Sequence, residues 1–221
     1  MDKRSAEYGT GRVLRAALTL AAAVGLAVLL LSLVRDATRE RVEASARARR
    51  VAAFERLLGG VAHDNDLLAD WIEVRNQELL GTDEPVRVYR ARRTGSSVAA
   101  IIEAVAPNGY SGSIRLVVAV TPGGQLLGVR VLEHRETPGL GDAIEEQRSD
   151  WIRQFDGRSL ADPPLAGWKV RKDGGQFDQL TGATVTPRAV IAAVRNVLEF
   201  AERAGADLYV QAQPADTPVS P

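Results

Sequence analysis

The chain contains no cysteine, and its 221 residues include only two histidines. The absence of cysteine excludes disulfides, thiolate catalysis and the iron–sulfur or zinc sites that cysteine would bind. The two histidines, His63 and His134, are too few for a histidine-rich metal site, so we expect no bound metal. Any redox chemistry of this chain must therefore come from an organic cofactor.

An excess of charge of either sign is also missing. Acidic and basic residues number 28 each, which gives a formal net charge of zero. No overall field would attract nucleic acid, and we predict no nucleic-acid partner. Hydrophobic residues make up 45% of the chain, which is enough for a folded core.

The longest apolar run covers residues 16–34, "AALTLAAAVGLAVLLLSLV", and contains no charged residue. A helix of this length is roughly 28 Å long, close to the hydrocarbon thickness of a bilayer. We therefore expect a single N-terminal transmembrane helix here. The alternative is a cleaved signal peptide, but its apolar region is normally shorter, and "LVRDATRE" is a poor cleavage site. Basic residues flank the run on both sides, so charge alone does not settle its orientation.

This run divides the chain into five predicted parts. Residues 1–15 form an N-terminal tail, residues 16–34 the transmembrane helix, and residues 35–60 a juxtamembrane stalk helix. Residues 61–210 form one folded domain. Residues 211–221, "QAQPADTPVSP", are polar and rich in proline, and we expect a disordered tail.

Within the domain, apolar residues alternate with a period of two, which is typical of strands. Four strands are predicted at residues 86–93, 97–107, 113–120 and 125–133, and "TPGG" between the last two predicts a hairpin. Helical spacing predicts a short helix at 67–71, an amphipathic helix at 143–155 and a closing helix at 187–204. "GWKVRK" predicts one more short strand. The fold class is therefore α+β, an antiparallel sheet flanked by helices.

Three threonines lie within "FDQLTGATVTPRAV", residues 177–190, just ahead of the closing helix. Thr186 precedes Pro187 and is the expected helix cap, because its hydroxyl can accept from a free backbone N–H. Thr181 and Thr184 lie in the preceding loop, among small residues that let another group approach closely. Free amides at a helix start attract anions, so an anion site near Thr184 competes with ordinary capping. The sequence has neither the G-x-x-x-x-G-K-[ST] nor the G-x-G-x-x-G phosphate-binding motif.

The stretch "DQLTGAT", residues 178–184, resembles the D-x-x-(S/T)-G-A-T signature of proteins that carry covalently attached FMN. A second block, "VRVLEHRETPGLGDAIE" at residues 129–145, is similar to the loop that packs on the flavin ring in the FMN-binding domains of the Rnf and Nqr membrane complexes. "NGYSG", residues 108–112, fits the same domain. Together these motifs resemble the G subunits of Rnf ion-translocating electron transport complexes. The C subunits of sodium-pumping NADH:quinone reductases are the near alternative.

The resemblance implies that Thr184 carries FMN through a phosphoester bond, made by a flavin transferase with FAD as donor. Thr181, Gly182 and Ala183 would shape the attachment loop, and Asp178 would belong to what the transferase recognises. Three further residues would contact the flavin, namely Thr137, Leu140 and Tyr110. No catalytic residue is expected, because the flavin ring carries the electron chemistry.

The resemblance further implies an electron-transfer subunit, not catalytic alone, of a complex that couples ferredoxin and NAD redox chemistry to ion transport. Its partners would be the other membrane and iron–sulfur subunits. It would be a single-pass protein of the bacterial inner membrane, with its flavin domain on the periplasmic side. Two other hypotheses stay open. One is an anchored binding module in which the threonines only cap a helix; the other is an assembly subunit whose main role is its apolar helix.

Overall fold

The computed structural model describes residues 3–209, so the predicted tail at 211–221 lies outside the described residues. Backbone contacts divide the chain into two compact units, Met1–Arg50 and Val51–Pro221, each of which is considered by itself. The first helix, α1, spans Lys3–Leu57. The second unit contains the sheet, two further helices and every candidate site residue.

The prediction of a transmembrane helix at residues 16–34 is wrong. These residues fall within α1, which has 55 residues. Among the residues that the structure describes, no helix combines the length and the apolar character needed to cross a membrane. The other predicted domain boundaries stay predictions.

Five strands form a single sheet in the order in which they occur along the chain. The strands are β1 (Trp71–Val74), β2 (Val86–Arg93), β3 (Ser96–Ala106), β4 (Ile114–Val120) and β5 (Leu126–Glu133). Each strand pairs antiparallel with its neighbour, as the α+β prediction requires. The predicted hairpin is present between β4 and β5, where the backbone N–H of Gly124 donates to the carbonyl of Thr121 at 2.9 Å.

Both faces of this sheet are buried, because side chains alternate between two apolar clusters along each strand. On β3, Ala100 and Ile102 belong to one cluster, whereas Ala99 and Ile101 belong to the other. The second cluster also contains Phe54, Leu57 and Leu58 at the end of α1. Burial of each such large apolar side chain stabilises the fold by about 1.5–3 kcal/mol.

The first cluster packs against the closing helix, α3, which spans Val185–Ala204. The apolar residues of α3 recur every three or four positions and face the sheet: Val190, Val194, Val197, Leu198 and Ala201. A short helix, α2 (Gln77–Leu80), begins with a side-chain cap from Asn76 to the backbone N–H of Leu79 at 3.0 Å. Because α3 is held along its length, the loop that precedes it is held at one edge of the domain.

The predicted helix at 143–155 is instead two short 3₁₀ segments, Gly141–Ile144 and Asp150–Phe155. Ser149 separates them, since its hydroxyl donates to the carbonyl of Ala143 at 2.6 Å and accepts from the backbone N–H of Trp151 at 3.1 Å. A serine that bonds the backbone in this way competes with a continuous helix. The helical spacing of the apolar residues therefore reflects their burial and not a helix.

Two other local predictions also differ from the structure. The predicted short helix at 67–71 is a turn followed by β1, because residues 71–74 pair with β2. The predicted strand at 167–172 is replaced by two 3₁₀ segments, Leu165–Gly167 and Arg171–Asp173, with one isolated bridge between Val170 and Phe177. At 71–74, pairing with β2 decided the local structure.

Candidate functional site

The threonine-rich loop forms a tight turn over residues 180–183. The backbone N–H of Ala183 donates to the carbonyl of Leu180 at 3.2 Å, which closes the turn. Gly182 occupies the third position with a φ of 79°, a conformation that favours glycine. A Cβ at Gly182 would also lie 2.7 Å from Leu140 Cδ2. The turn therefore needs a glycine both for its backbone and for its close approach to a second loop.

Thr184 is the residue that precedes the first turn of α3, and its side chain is exposed and makes no capping hydrogen bond. The interpretation of Thr186 as the helix cap is therefore wrong. Thr186 lies within the first turn of α3, is 1% exposed, and donates its hydroxyl to the carboxylate of Glu136. The helix begins two residues earlier than its sequence indicates, and this leaves the Thr184 hydroxyl available to another group.

The start of the motif is held by its backbone. The indole N–H of Trp151 donates to the carbonyl of Asp178 at 2.7 Å, and the backbone N–H of Asp178 donates to the side chain of Gln154 at 2.7 Å. The Asp178 carboxylate points outward and pairs with exposed Arg171 at 3.1 Å. Asp178 therefore anchors one end of the loop while its side chain remains at the surface.

A second loop, residues 134–141, meets the turn. The backbone N–H groups of Leu140 and Gly141 donate to the carbonyl of Thr137 at 3.2 and 3.0 Å, which folds this loop tightly. A Cβ at Gly141 would lie 2.8 Å from Glu136 Cβ and 3.1 Å from Thr186 Oγ1. The glycine therefore lets the second loop pack directly on the first turn of α3.

The two loops and the loop that carries Tyr110 enclose a cavity of about 320 Å³. Six of the eight predicted cofactor residues line it: Tyr110, Thr137, Leu140, Gly182, Ala183 and Thr184. Thr181 and Asp178 do not line it, although they belong to the same loop. The remaining lining residues are Glu136, Gly141, Val185 and Thr186. Segments separated by more than 70 positions in the chain thus converge on one small cavity.

The rim of this cavity is apolar and unusually exposed. Tyr110 is 71% exposed, Leu140 43% and Val185 39%. Apolar side chains left in contact with water around a cavity mark a ligand or partner site. The volume lies at the lower end of the range for small-molecule sites, so a bound molecule of ordinary cofactor size would remain partly open to solvent.

The polar part of the cavity suits an anion. Thr184 and Val185 lie at the start of α3, where backbone N–H groups lack partners within the helix and the helix dipole favours negative charge. Among the described residues that line the cavity, none is lysine or arginine. Attraction for a phosphate would therefore come from the helix end and from the threonine hydroxyl.

Sequence reasoning missed the importance of Glu136. Its carboxylate is buried beneath the cavity and accepts from Thr186, 50 positions further along the chain. No local pattern reveals a pair at that separation. The available signal was a lone acid in a loop of glycine and proline, which is weak by itself.

A second cavity, of about 350 Å³, lies between the β4–β5 turn and the C-terminal end of α3. It is slightly larger than the cavity beside Thr184. Its lining includes Thr121, Ser159, Glu202 and Tyr209, and contains no residue of either sequence motif. Size does not decide between these two cavities, and the convergence of distant loops on an uncapped helix start favours the one beside Thr184.

The chain is similar over most of its length to one set of bacterial proteins. It is 48% identical over 188 residues to the G subunit of the ion-translocating oxidoreductase complex of Pseudomonas aeruginosa (strain UCBPP-PA14), covering 85% of this chain and 88% of that protein. It is 46% identical over 167 residues to the G subunit of the same complex of Pseudoalteromonas atlantica (strain T6c / ATCC BAA-1087), covering 76% and 78% respectively. The chain belongs to this G-subunit family.

The FMN-binding domain family matches residues 109–199 of the chain. That range includes all eight predicted cofactor residues and Glu136. Among solved structures, the crystal structure of Shewanella oneidensis NqrC is similar at 22% sequence identity and a TM-score of 0.44, covering 63% of this chain and 75% of that chain.

The residues around the cavity fit FMN on three counts. The exposed apolar rim suits a planar aromatic ring, the start of α3 suits a phosphate, and the uncapped hydroxyl of Thr184 belongs to the same lining. The lining carries no basic side chain among its described residues, so the fit depends on backbone amides and on the threonine.

Proposed function

We propose that this chain is the flavin-carrying electron-transfer subunit of an ion-translocating oxidoreductase complex, with FMN joined to Thr184 through a phosphoester bond. One observation carries the proposal: the Thr184 hydroxyl is exposed and makes no capping bond, and it lines a cavity inside the range matched by the FMN-binding domain family. FMN supplies the one- and two-electron chemistry when it is bound.

The chain's own residues have holding roles in this proposal. Thr184 supplies the attachment oxygen, and the free amides at the start of α3 stabilise the negative phosphate. Tyr110, Leu140 and Val185 provide an apolar surface for the ring. Because these three side chains remain exposed, one side of the ring stays open to an electron donor or acceptor.

Attachment requires an external enzyme. A threonine hydroxyl is a poor nucleophile without a base. Glu136 is the carboxylate in the described cavity lining, and it is already committed to the Thr186 hydroxyl and to two backbone N–H groups. We therefore propose that a flavin transferase joins Thr184 Oγ1 to the FMN phosphate of FAD, with AMP as the leaving group and loss of the hydroxyl proton.

The proposed partners are inferred from the complex to which the relatives belong. Those proteins are subunits of an ion-translocating oxidoreductase complex, and we propose that this chain assembles with the other membrane and iron–sulfur subunits of such a complex. The complex would couple ferredoxin and NAD redox chemistry to ion movement at the bacterial inner membrane. We place the flavin domain on the periplasmic side, and protease access to residues 61–209 from each side of the membrane tests that placement.

The proposal is tested with Thr184→Ala and a matched control, Thr181→Ala, in the assembled complex. Both threonines are exposed and lie in the same loop, but only Thr184 lines the cavity. We expect Thr184→Ala to assemble without its flavin and to lose electron transfer between NADH and ferredoxin. Thr181→Ala should retain the covalent flavin. Full electron transfer in a Thr184→Ala complex would contradict the proposal.

A further inference from the structure

Glu136 lies where the three segments that form the cavity beside Thr184 meet. Its side chain is 4% exposed and accepts three hydrogen bonds. The backbone N–H groups of Ser111 and Tyr110 donate to it at 2.9 and 3.3 Å, and the Thr186 hydroxyl donates to it as well. Since Glu136 belongs to the loop of Thr137 and Leu140, one carboxylate joins that loop to the Tyr110 loop and to the start of α3.

The backbone of Glu136 is fixed by a second set of contacts. Its N–H donates to His134 Nδ1 at 3.0 Å, and His134 Nε2 lies 2.6 Å from Glu145 Oε1. Because Nδ1 accepts a hydrogen bond, the imidazole proton is on Nε2 and is donated to Glu145. His134 and Glu145 therefore brace the loop, and a backbone amide separates them from the carboxylate of Glu136.

Close packing keeps the carboxylate in one position. Gly141 has no room for a Cβ, which would lie 2.8 Å from Glu136 Cβ. On the other side, a Cβ at Gly109 would lie 3.0 Å from Glu136 Oε1. Two glycines thus leave space for the side chain and for little else, and Glu136 cannot swing into another position without moving a loop.

Glu136 also supplies the formal negative charge of the described cavity lining. No described lining residue is lysine or arginine, and the three groups that donate to Glu136 are neutral. Neutral donors stabilise a buried carboxylate without cancelling its field. A molecule in this cavity therefore lies beside a fixed negative charge.

We propose that Glu136 is a positioning residue that holds the cavity walls around the flavin and, as a fixed anion, lowers the reduction potential of the flavin. The inference rests on the proposed function, because it concerns FMN attached at Thr184. Reduction adds negative charge to the ring, and a nearby negative charge opposes that addition. Thr186 assists by holding the carboxylate to α3.

The electrostatic half is tested with Glu136→Gln in the full-length chain, produced together with the flavin transferase. Glutamine has nearly the same shape as glutamate but carries no charge. We expect the reduction equilibrium of the attached FMN to shift at least tenfold toward the reduced form, an increase of about 30 mV for a two-electron couple. Glu136→Asp keeps the charge, and we expect it to change the reduction potential by less than half as much as Glu136→Gln does. The measurement is a spectroelectrochemical titration of the flavin.

The positioning half is tested by the visible circular dichroism of the attached flavin, which reports how the walls surround the ring. Thr186→Val removes the hydroxyl that ties α3 to Glu136 and should weaken this signal. Thr186→Ser keeps the hydroxyl and should restore the wild-type signal. The two Thr186 variants also test the proposal if Glu136→Gln does not fold.

An unchanged potential in Glu136→Gln that still carries FMN would overturn the electrostatic half. Identical flavin dichroism in wild type, Thr186→Val and Thr186→Ser would overturn the positioning half. Failure of the proposed function gives a different result, since the wild-type chain would then carry no FMN on Thr184.

Discussion

Replacing Thr186 with valine isolates one buried hydrogen bond. Valine has nearly the same shape as threonine, so Thr186→Val creates no sizeable cavity and removes only the hydroxyl that donates to Glu136. Hydrogen bonds to charged groups contribute about 1.5–3 kcal/mol, and at 1% exposure no water replaces the lost donor. We therefore expect the free energy of unfolding to fall by about 2 kcal/mol.

The assays are urea unfolding and thermal unfolding of the full-length chain without FMN, each followed by circular dichroism. For a domain of this size, a loss of about 2 kcal/mol corresponds to a fall in Tm of roughly 4–8 °C. Thr186→Ser is the matched control, because it keeps the donor and loses one buried methyl group, at a cost of about 1 kcal/mol. A Thr186→Val chain as stable as wild type would refute the reasoning that this hydroxyl holds Glu136.

Three further predictions concern the loops around the cavity and an ion pair at the start of α3. Gly182→Ala should cost about 1–2 kcal/mol for its positive φ, bring a Cβ against Leu140, and lower the yield of attached flavin seen by in-gel fluorescence. Tyr110→Ala should change the free energy of unfolding by less than about 0.5 kcal/mol, because the side chain is exposed, yet lower the fluorescence anisotropy of the flavin. The Arg188 guanidinium, which bonds Asp173 at 2.6 and 2.8 Å, lowers the pKa of that carboxyl. Asp173→Asn should therefore be less stable than wild type at pH 7. This difference in stability should shrink as the pH falls below about 4, the ordinary pKa of an aspartate, and vanish once the pH is below the lowered pKa of Asp173.

Each of these predictions has a clear contrary result. Wild-type flavin yield in Gly182→Ala would show that the turn tolerates a side chain. Unchanged anisotropy in Tyr110→Ala would separate Tyr110 from the ring. A stability difference between wild type and Asp173→Asn that persists unchanged at pH 2 would show that the pair with Arg188 is not its source.

Four of the five described strands, β2 to β5, could be predicted from the sequence because their cause is local. Residues 86–93 alternate and contain valine, tyrosine and alanine, and β2 has the same bounds as predicted. β3, β4 and β5 each lie within one residue of their predicted bounds. Short-range hydrophobic alternation and a glycine turn are sufficient for a meander, since each strand pairs with its neighbour in the chain.

Predictions failed where the hydrophobic pattern matches a structure that the chain does not adopt. The apolar spacing of 143–155 resembles a helix, but Ser149 bonds the carbonyl of Ala143 and divides the segment. The run at 16–34 has the length of a membrane span, but among the described residues no helix is both long and apolar enough to cross a bilayer. Local patterns do not contain this information.

The candidate site, too, could be predicted from the sequence only in part. Its motif residues are adjacent in sequence, so Gly182, Ala183 and Thr184 could be predicted to lie together. The contact between Glu136 and Thr186 joins positions 50 apart and depends on how α3 docks against the sheet. The start of α3 at Val185 also escaped prediction, because threonine before proline is a strong cap signal that the fold overrides here.

The central claim is that Thr184 carries FMN, and peptide mass spectrometry of the protein purified from its native membrane tests it most directly. The account predicts that the peptide containing residues 178–188 is heavier by one FMN less one water, with fragment ions that assign the increment to Thr184. The same peptide should fluoresce as a flavin. An unmodified peptide, from cells shown to contain an active flavin transferase, would contradict the account and reduce Thr184 to the residue that precedes a helix.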